Sequence, residues 1–207
     1  MNGRPVHYFV LLGLLVLLAG CIDSEAPLSD PDKSTLDEKL LGKWTFEEKG
    51  TPPSQVIFEK VTAAGYPAGV MAVTMRPLAK NDPQAPQVGF VFRTELKGKT
   101  YLNLCGKMAD APAKVPAWDK VRANGFNIFK YAVKDDSLTF WFVDDEAPLK
   151  AAVTDGTLKG TVRPQGYLDF APTVRLKDTT ANVADFVARE DEKLFTAPKK
   201  VVLTRAR

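Results

Sequence analysis

Alternation is the feature that most constrains this chain. From Leu40 onward, large apolar side chains recur at every second position in one short segment after another. Leu40-Leu41-Gly42-Lys43-Trp44-Thr45-Phe46 puts Trp44 and Phe46 on one face. Residues 55–61 are β-branched and aromatic, and 70–76 follow the turn residues Gly65, Pro67 and Gly69. Residues 88–93 set large side chains at 88, 90 and 92. A period of two sends successive side chains to opposite faces of a strand, so each segment reads as a strand with one buried face. Lys97-Gly98-Lys99 turns the chain into Tyr101-Leu102-Asn103-Leu104, and Asp135-Asp136 joins 126–133 to 138–143 as a second hairpin.

Three stretches break the rhythm. Residues 106–125 are rich in Pro and Ala around Ala111-Pro112-Ala113, so they read as a long loop with one helical turn near Trp118, a candidate lid. Residues 147–153 read as a short helix stopping at Gly156, and 157–163 and 174–177 as strands. Then Asp178-Thr179-Thr180 offers capping side chains, and Val183, Phe186, Val187 and Leu194 fall at helical spacing. Asp185 and Arg189 form an i,i+4 pair on that helix. Pro198 ends it, and Val201-Val202-Leu203-Thr204 reads as a closing strand. Short strands joined by turns have exposed edges, and closure removes them. The expected fold is therefore mainly β: one antiparallel up-and-down barrel, with a late C-terminal helix before the last strand. A two-sheet sandwich would use the same strands.

The start of the chain has a different grammar. Arg4 precedes an apolar run of 11 residues, Tyr8 to Leu18, and the run exits through Leu18-Ala19-Gly20-Cys21. A bilayer-spanning helix needs about 20 apolar residues, whereas a secretory signal core has roughly 7–15. Leu18-Ala19-Gly20-Cys21 resembles the lipobox of bacterial lipoproteins at all four positions. The resemblance implies cleavage between Gly20 and Cys21, a diacylglycerol on the Cys21 sulfur and an acylated new amino terminus. Two or three acyl chains anchor a protein stably, where one gives only marginal binding. Ile22, in place of an Asp, favours an outer-membrane destination facing the periplasm. The expected organisation is a signal peptide at 1–20, a lipidated flexible tether at 21–37 and a barrel domain at 38–207. The tether reading rests on residues 22–36, which carry Asp, Ser, Pro and Glu with few apolar side chains.

Gly42-Lys43-Trp44 in the first strand and Arg205 after the last also resemble the lipocalin superfamily in its broad, calycin-like sense. That resemblance covers roughly residues 38–207. It implies that Arg205 lies over the Trp44 ring, that Gly42, Trp44 and Arg205 close the barrel, and that a helix packs outside it. The stretch from Pro27 to Trp44 also resembles uncharacterised bacterial lipoproteins, which supplies a class and no activity.

Composition narrows the chemistry. The chain of 207 residues has 28 Lys and Arg against 25 Asp and Glu, a net +3, which argues against a dedicated nucleic-acid binder. Its one histidine, His7, lies in the signal, so the mature chain cannot build a Ser-His-Asp triad or an HExxH zinc site. With Cys21 lipidated, Cys105 has no intrachain partner, and its apolar neighbours suggest an inert buried thiol. Neither a metal nor a cofactor is expected. Acidic clusters remain at Asp135-Asp136, Asp144-Asp145-Glu146 and Glu190-Asp191-Glu192, read as a turn, a helix start and a solvated helix face. Nothing in their spacing selects a catalytic pair, so the reading is non-catalytic. Trp44, Phe90, Phe92, Tyr131, Phe140 and Phe142 are the candidate cavity lining, with Arg93 placed to meet a carboxylate. Lys97, Lys99, Lys199 and Lys200 are candidate headgroup contacts. The functional expectation is a membrane-anchored envelope lipoprotein binding a small apolar or lipid-like ligand. Its alternative is an envelope interaction protein with a filled barrel and an unknown protein partner.

Overall fold

The computed structural model describes residues 21–47, 53–78, 85–164 and 173–206. Residues 1–20, the expected signal segment, with Gly20 beside the expected cleavage site, lie outside the described residues. Eleven strands are described: β1 (Ile22–Ser24), β2 (Gly42–Phe46), β3 (Ser54–Lys60), β4 (Val70–Pro77), β5 (Gln87–Leu96), β6 (Lys99–Asp110), β7 (Phe126–Lys134), β8 (Ser137–Trp141), β9 (Gly160–Val162), β10 (Val174–Leu176) and β11 (Lys200–Arg205). The α-helices are α1 (Trp118–Arg122), α2 (Ala147–Thr154) and α3 (Thr180–Leu194).

Strands β2 to β8 run up and down in chain order, each antiparallel to the next. β11 then enters between β8 and β2 and closes an eight-stranded antiparallel barrel. The fold is the mainly β, closed barrel that the alternation predicts, with α3 as the late helix before the last strand. α3 begins where its capping residues place it, the Thr179 hydroxyl accepting from Asn182 N at 3.3 Å.

Alternation divides the apolar residues into two cores. Trp44, Phe58, Met71, Val91, Leu102, Tyr131, Leu138, Phe140 and Leu203 point inward and form the barrel interior. The opposite parity, including Phe92, Tyr101, Cys105, Phe126 and Ile128, points outward and packs beneath Leu149, Val183, Phe186, Val187 and Leu194 of the helices. The barrel wall is thus apolar on both faces where α2 and α3 cover it.

The expected tether is instead part of the fold. β1 pairs antiparallel with the start of β7, Ile22 opposite Ile128, and parallel with β10, which carries β9 on its far side. From there the chain runs as a strap over the outside of β6 and β5. Leu28 N donates to Asn103 Oδ1 at 2.8 Å, and the Ser29 and Thr94 hydroxyls share a 2.6 Å bond. Ile22, Leu28 and Leu40 are almost wholly buried, and each such burial contributes about 1.5–3 kcal/mol. Three well-placed apolar side chains therefore hold a polar segment that composition alone reads as free. Gly125, at φ +79°, makes the close approach possible, because a Cβ there would lie 2.8 Å from Ser24 O.

The 106–125 stretch also differs from a lid. β6 continues to Asp110, and Trp118 and Val121 of α1 are buried in the outer core. Trp118 stacks near Tyr66, whose hydroxyl donates to Pro116 O at 2.9 Å, so this loop is fastened to the outer wall.

Candidate functional site

The two ends of the barrel are built differently. At one end lie the start of β2, the β5–β6 and β7–β8 turns and the end of β11. The buried Trp44 forms its floor, with indole Nε1 donating to Leu40 O at 2.7 Å. Register sets Arg205 directly opposite Trp44, and its guanidinium lies 4.2 Å from the ring centroid. Arg205 also donates to Leu41 O at 3.0 Å and to Lys39 O at 2.8 Å, tying the strap across the opening. Gly42 stands at φ +111°, and a Cβ on it would lie 3.3 Å from Arg205 Nη1. The spacing Gly-x-Trp therefore has a local reason: a left-handed residue beside the arginine, then the ring beneath it.

A polar layer lies at the same end. The Tyr131 hydroxyl donates to Asp37 at 2.6 Å. Burial first, then the Asp37 bond and charge, push the phenol above its ordinary range. Arg93 pairs with Glu95 and reaches Thr35 Oγ1 at 3.4 Å, while its Nε is buried without a hydrogen bond. The charge expected to meet a ligand carboxylate is thus already met by Glu95. Leu40, Trp44 and the strap seal this end.

The opposite end, termed the mouth, is reached by the end of β2, the start of β3, the end of β4, the start of β5 and the start of β11, and the connections 48–52 and 79–84 at this end lie outside the described residues. Phe129 meets Phe140 edge-on at 5.5 Å and Phe142 at 6.0 Å, giving an aromatic cluster below the opening. Phe46, Met75, Met108 and Val201 pack against that interior yet stay only partly buried. One wall is tight, because a Cβ at Gly89 would lie 2.7 Å from the Leu104 side chain. Cys21 is buried in the same interior cluster, and burial, with Asp23 adding to it, pushes its thiol up to about 12. The charge of Lys199, just before β11, acts on that thiol in the opposite sense.

The structure brings Trp44, Tyr131, Phe140 and Phe142 of the candidate lining together inside the barrel. Phe90 and Phe92 are corrected to the outer wall. Phe92 meets Phe126 at 6.1 Å and Phe90 meets Tyr66 at 5.2 Å, both beneath covering elements. Size and alternation place Phe90 and Phe92 inside, but here the outward face of β5 is buried as well. Cys105 is buried in that outer core, and burial raises its thiol to about 12. The lysines separate also: Lys99 lies by the sealed end, whereas Lys199 and Lys200 lie at the mouth.

Asp191 corrects the solvated-face reading of Glu190-Asp191-Glu192. It is buried, accepting from Tyr101 OH at 2.5 Å, Lys99 Nζ at 2.6 Å and Lys130 Nζ at 2.7 Å. Burial alone would raise this carboxyl, but the bonds from Lys130, Lys99 and Tyr101 outweigh it and hold it below the ordinary range. The clamp fixes α3 to the outside of the barrel. Its signal was in the sequence, since 183, 187, 191 and 194 fall on one helical stripe. Arg189 turns to Glu190 instead of Asp185, at 3.2 Å.

A groove of about 590 Å³ runs outside the barrel between α2 and α3, floored by Phe186, Pro148 and Ala152. Its basic rim residues Arg189 and Lys193 both pair with Glu190. No family model, curated protein or solved structure matches the chain.

Proposed function

We propose that this chain is a lipid-anchored protein of the bacterial envelope, a lipocalin-like barrel that holds a small apolar or lipid-like molecule at its mouth without catalysing a reaction. Leu18-Ala19-Gly20-Cys21 supports the anchor at Cys21, and Ile22 supports an outer-membrane destination facing the periplasm. One observation carries the binding reading: Phe46, Met75, Met108 and Val201 are inward apolar side chains left partly uncovered at the mouth. A barrel serving purely as a packed scaffold gains by covering such groups, at about 25 cal/mol per Å² of apolar surface. Ligand sites are concave and mainly apolar, and barrel mouths are among their usual places. Charge inside the barrel is already paired, which favours a neutral or weakly polar ligand over one recognised by its carboxylate.

The unlipidated domain incubated with an envelope lipid extract should carry a bound lipid in native mass spectrometry. A domain that flies empty under conditions preserving known lipid complexes transfers the function to the packed-barrel reading, with a protein partner. The anchor has its own test: Cys21→Ala should abolish incorporation of labelled palmitate, and equal labelling of both forms refutes it.

A further inference from the structure

We infer that the mouth of the barrel is the membrane-facing surface, so that an apolar ligand passes between bilayer and barrel without crossing water. The inference rests on the anchor and ligand readings above and adds an orientation to them. It starts from the strap. Because β1 pairs with β7 and β10 from Ile22 onward, no slack separates Cys21 from the barrel wall. Leu18, the last residue of the apolar run, is three residues away, at most about 11 Å of extended chain. A lipid on Cys21 and an uncleaved leader both hold this one part of the molecule at the bilayer.

The parity of β1 gives the direction. Ile22 belongs to the outer core and Cys21 to the interior cluster, with Phe129, Phe140 and Phe142. A substituent on the Cys21 sulfur therefore begins inside the barrel. Leu40, Trp44, Arg205 and the strap cross the far end of the barrel, so the nearer end for that position is the mouth. β1 takes over pairing with β7 just beyond the last residue of β8, which places Cys21 at the mouth-side end of that strand. The rim suits a bilayer surface. Leu78, which follows β4 and donates to Pro53 O, is 40% exposed, and Lys199 and Lys200 lie at the same end of the barrel, where β11 begins at Lys200. Exposed apolar and basic side chains together partition to an anionic interface.

The test uses the full lipidated chain in vesicles of phosphatidylethanolamine and phosphatidylglycerol. Leu78→Cys marks the mouth and Glu38→Cys the sealed end, each carrying an environment-sensitive fluorophore, with Cys105 buried and protected. Lipids bearing headgroup nitroxides should quench the label at 78 at least threefold more than the label at 38. Lys199→Cys should behave like Leu78→Cys and covers the case in which the first variant fails to fold. Equal quenching at both ends means a free tether and overturns the orientation. Stronger quenching at 38 reverses and also overturns it. The anchor reading fails separately, if the N-terminal peptide of the vesicle-bound protein carries no lipid mass. The ligand reading fails separately again, if the oriented protein takes up no lipid from those vesicles.

Discussion

The sealed end and the mouth are made from the same eight strands, yet they spend their apolar residues differently. At the sealed end Trp44 and Leu40 have no exposed surface, and Trp44 is paired with Leu40 and Arg205 with Leu41 and Lys39, while Leu41 and Val133 stay partly buried and Arg93 Nε has no hydrogen bond. At the mouth Phe46, Met75, Met108 and Val201 face inward and remain partly open. The contrast teaches that, if the proposed ligand site is right, stability and uptake sit at opposite ends of one barrel and can be perturbed separately.

The largest effect should come from the floor. Trp44→Ala removes a wholly buried indole and is expected to cost about 3–5 kcal/mol, read as a lowered urea midpoint with unchanged slope. A loss under 1 kcal/mol would mean that the sealed end is not the stabilising half.

Next comes the clamp on the outer wall. Asp191→Asn weakens three bonds to a buried carboxylate and should cost about 2 kcal/mol, within the range for charged hydrogen bonds. Its pH signature has a definite sign. The folded carboxyl lies below its unfolded value of about 3.9, so its stabilisation is complete above that value and is lost as pH falls through the folded value. Acid unfolding curves of wild type and Asp191→Asn should therefore draw together as pH falls below the unfolded value of about 3.9. Curves that stay parallel throughout the acid range would show that the clamp contributes no charge-dependent stability.

Much of this architecture was legible beforehand. Period two locates β2 to β5, β7, β8 and β11 to within a few residues and the first half of β6, because each strand has at least one buried face; the second half of β6, to Asp110, lies in the stretch read as a loop. Helical spacing with the Thr179 cap located α3. What escaped detection depends on the second layer. Phe90 and Phe92 look like lining until α1 and the 61–69 connection cover the outer wall. Asp191 looks solvated until Lys99, Lys130 and Tyr101 are brought to it from 60 and more residues away. The strap escapes the sequence pattern because Ile22 and Leu28 are isolated in sequence, and no periodicity links them to Leu40. Of the site, Trp44, Tyr131, Phe140 and Phe142 were found by size and parity. Phe46, Met75, Met108 and Phe129 were passed over, because a mouth is defined by where strands end in space.

Smaller effects sharpen the contrast. Arg205→Ala should cost about 1 kcal/mol, in line with a partly desolvated guanidinium over an indole. A double-mutant cycle with Trp44→Ala should return a coupling of at least about 0.5 kcal/mol, and strict additivity would separate the two residues. At the mouth, Met75→Ala should change stability by under about 1 kcal/mol, because the side chain is only partly buried. The same substitution should weaken uptake of an apolar probe, which no sealed-end variant that still folds should do.

The most direct measurement is a titration of the unlipidated domain with cis-parinaric acid, followed by its fluorescence, for wild type, Met75→Asp and Arg205→Ala. The account predicts saturable one-to-one binding to wild type and to Arg205→Ala, and a loss of at least tenfold in affinity for Met75→Asp at unchanged fold. Absence of saturable binding to wild type, or equal affinity in all three, would contradict a ligand site at the mouth.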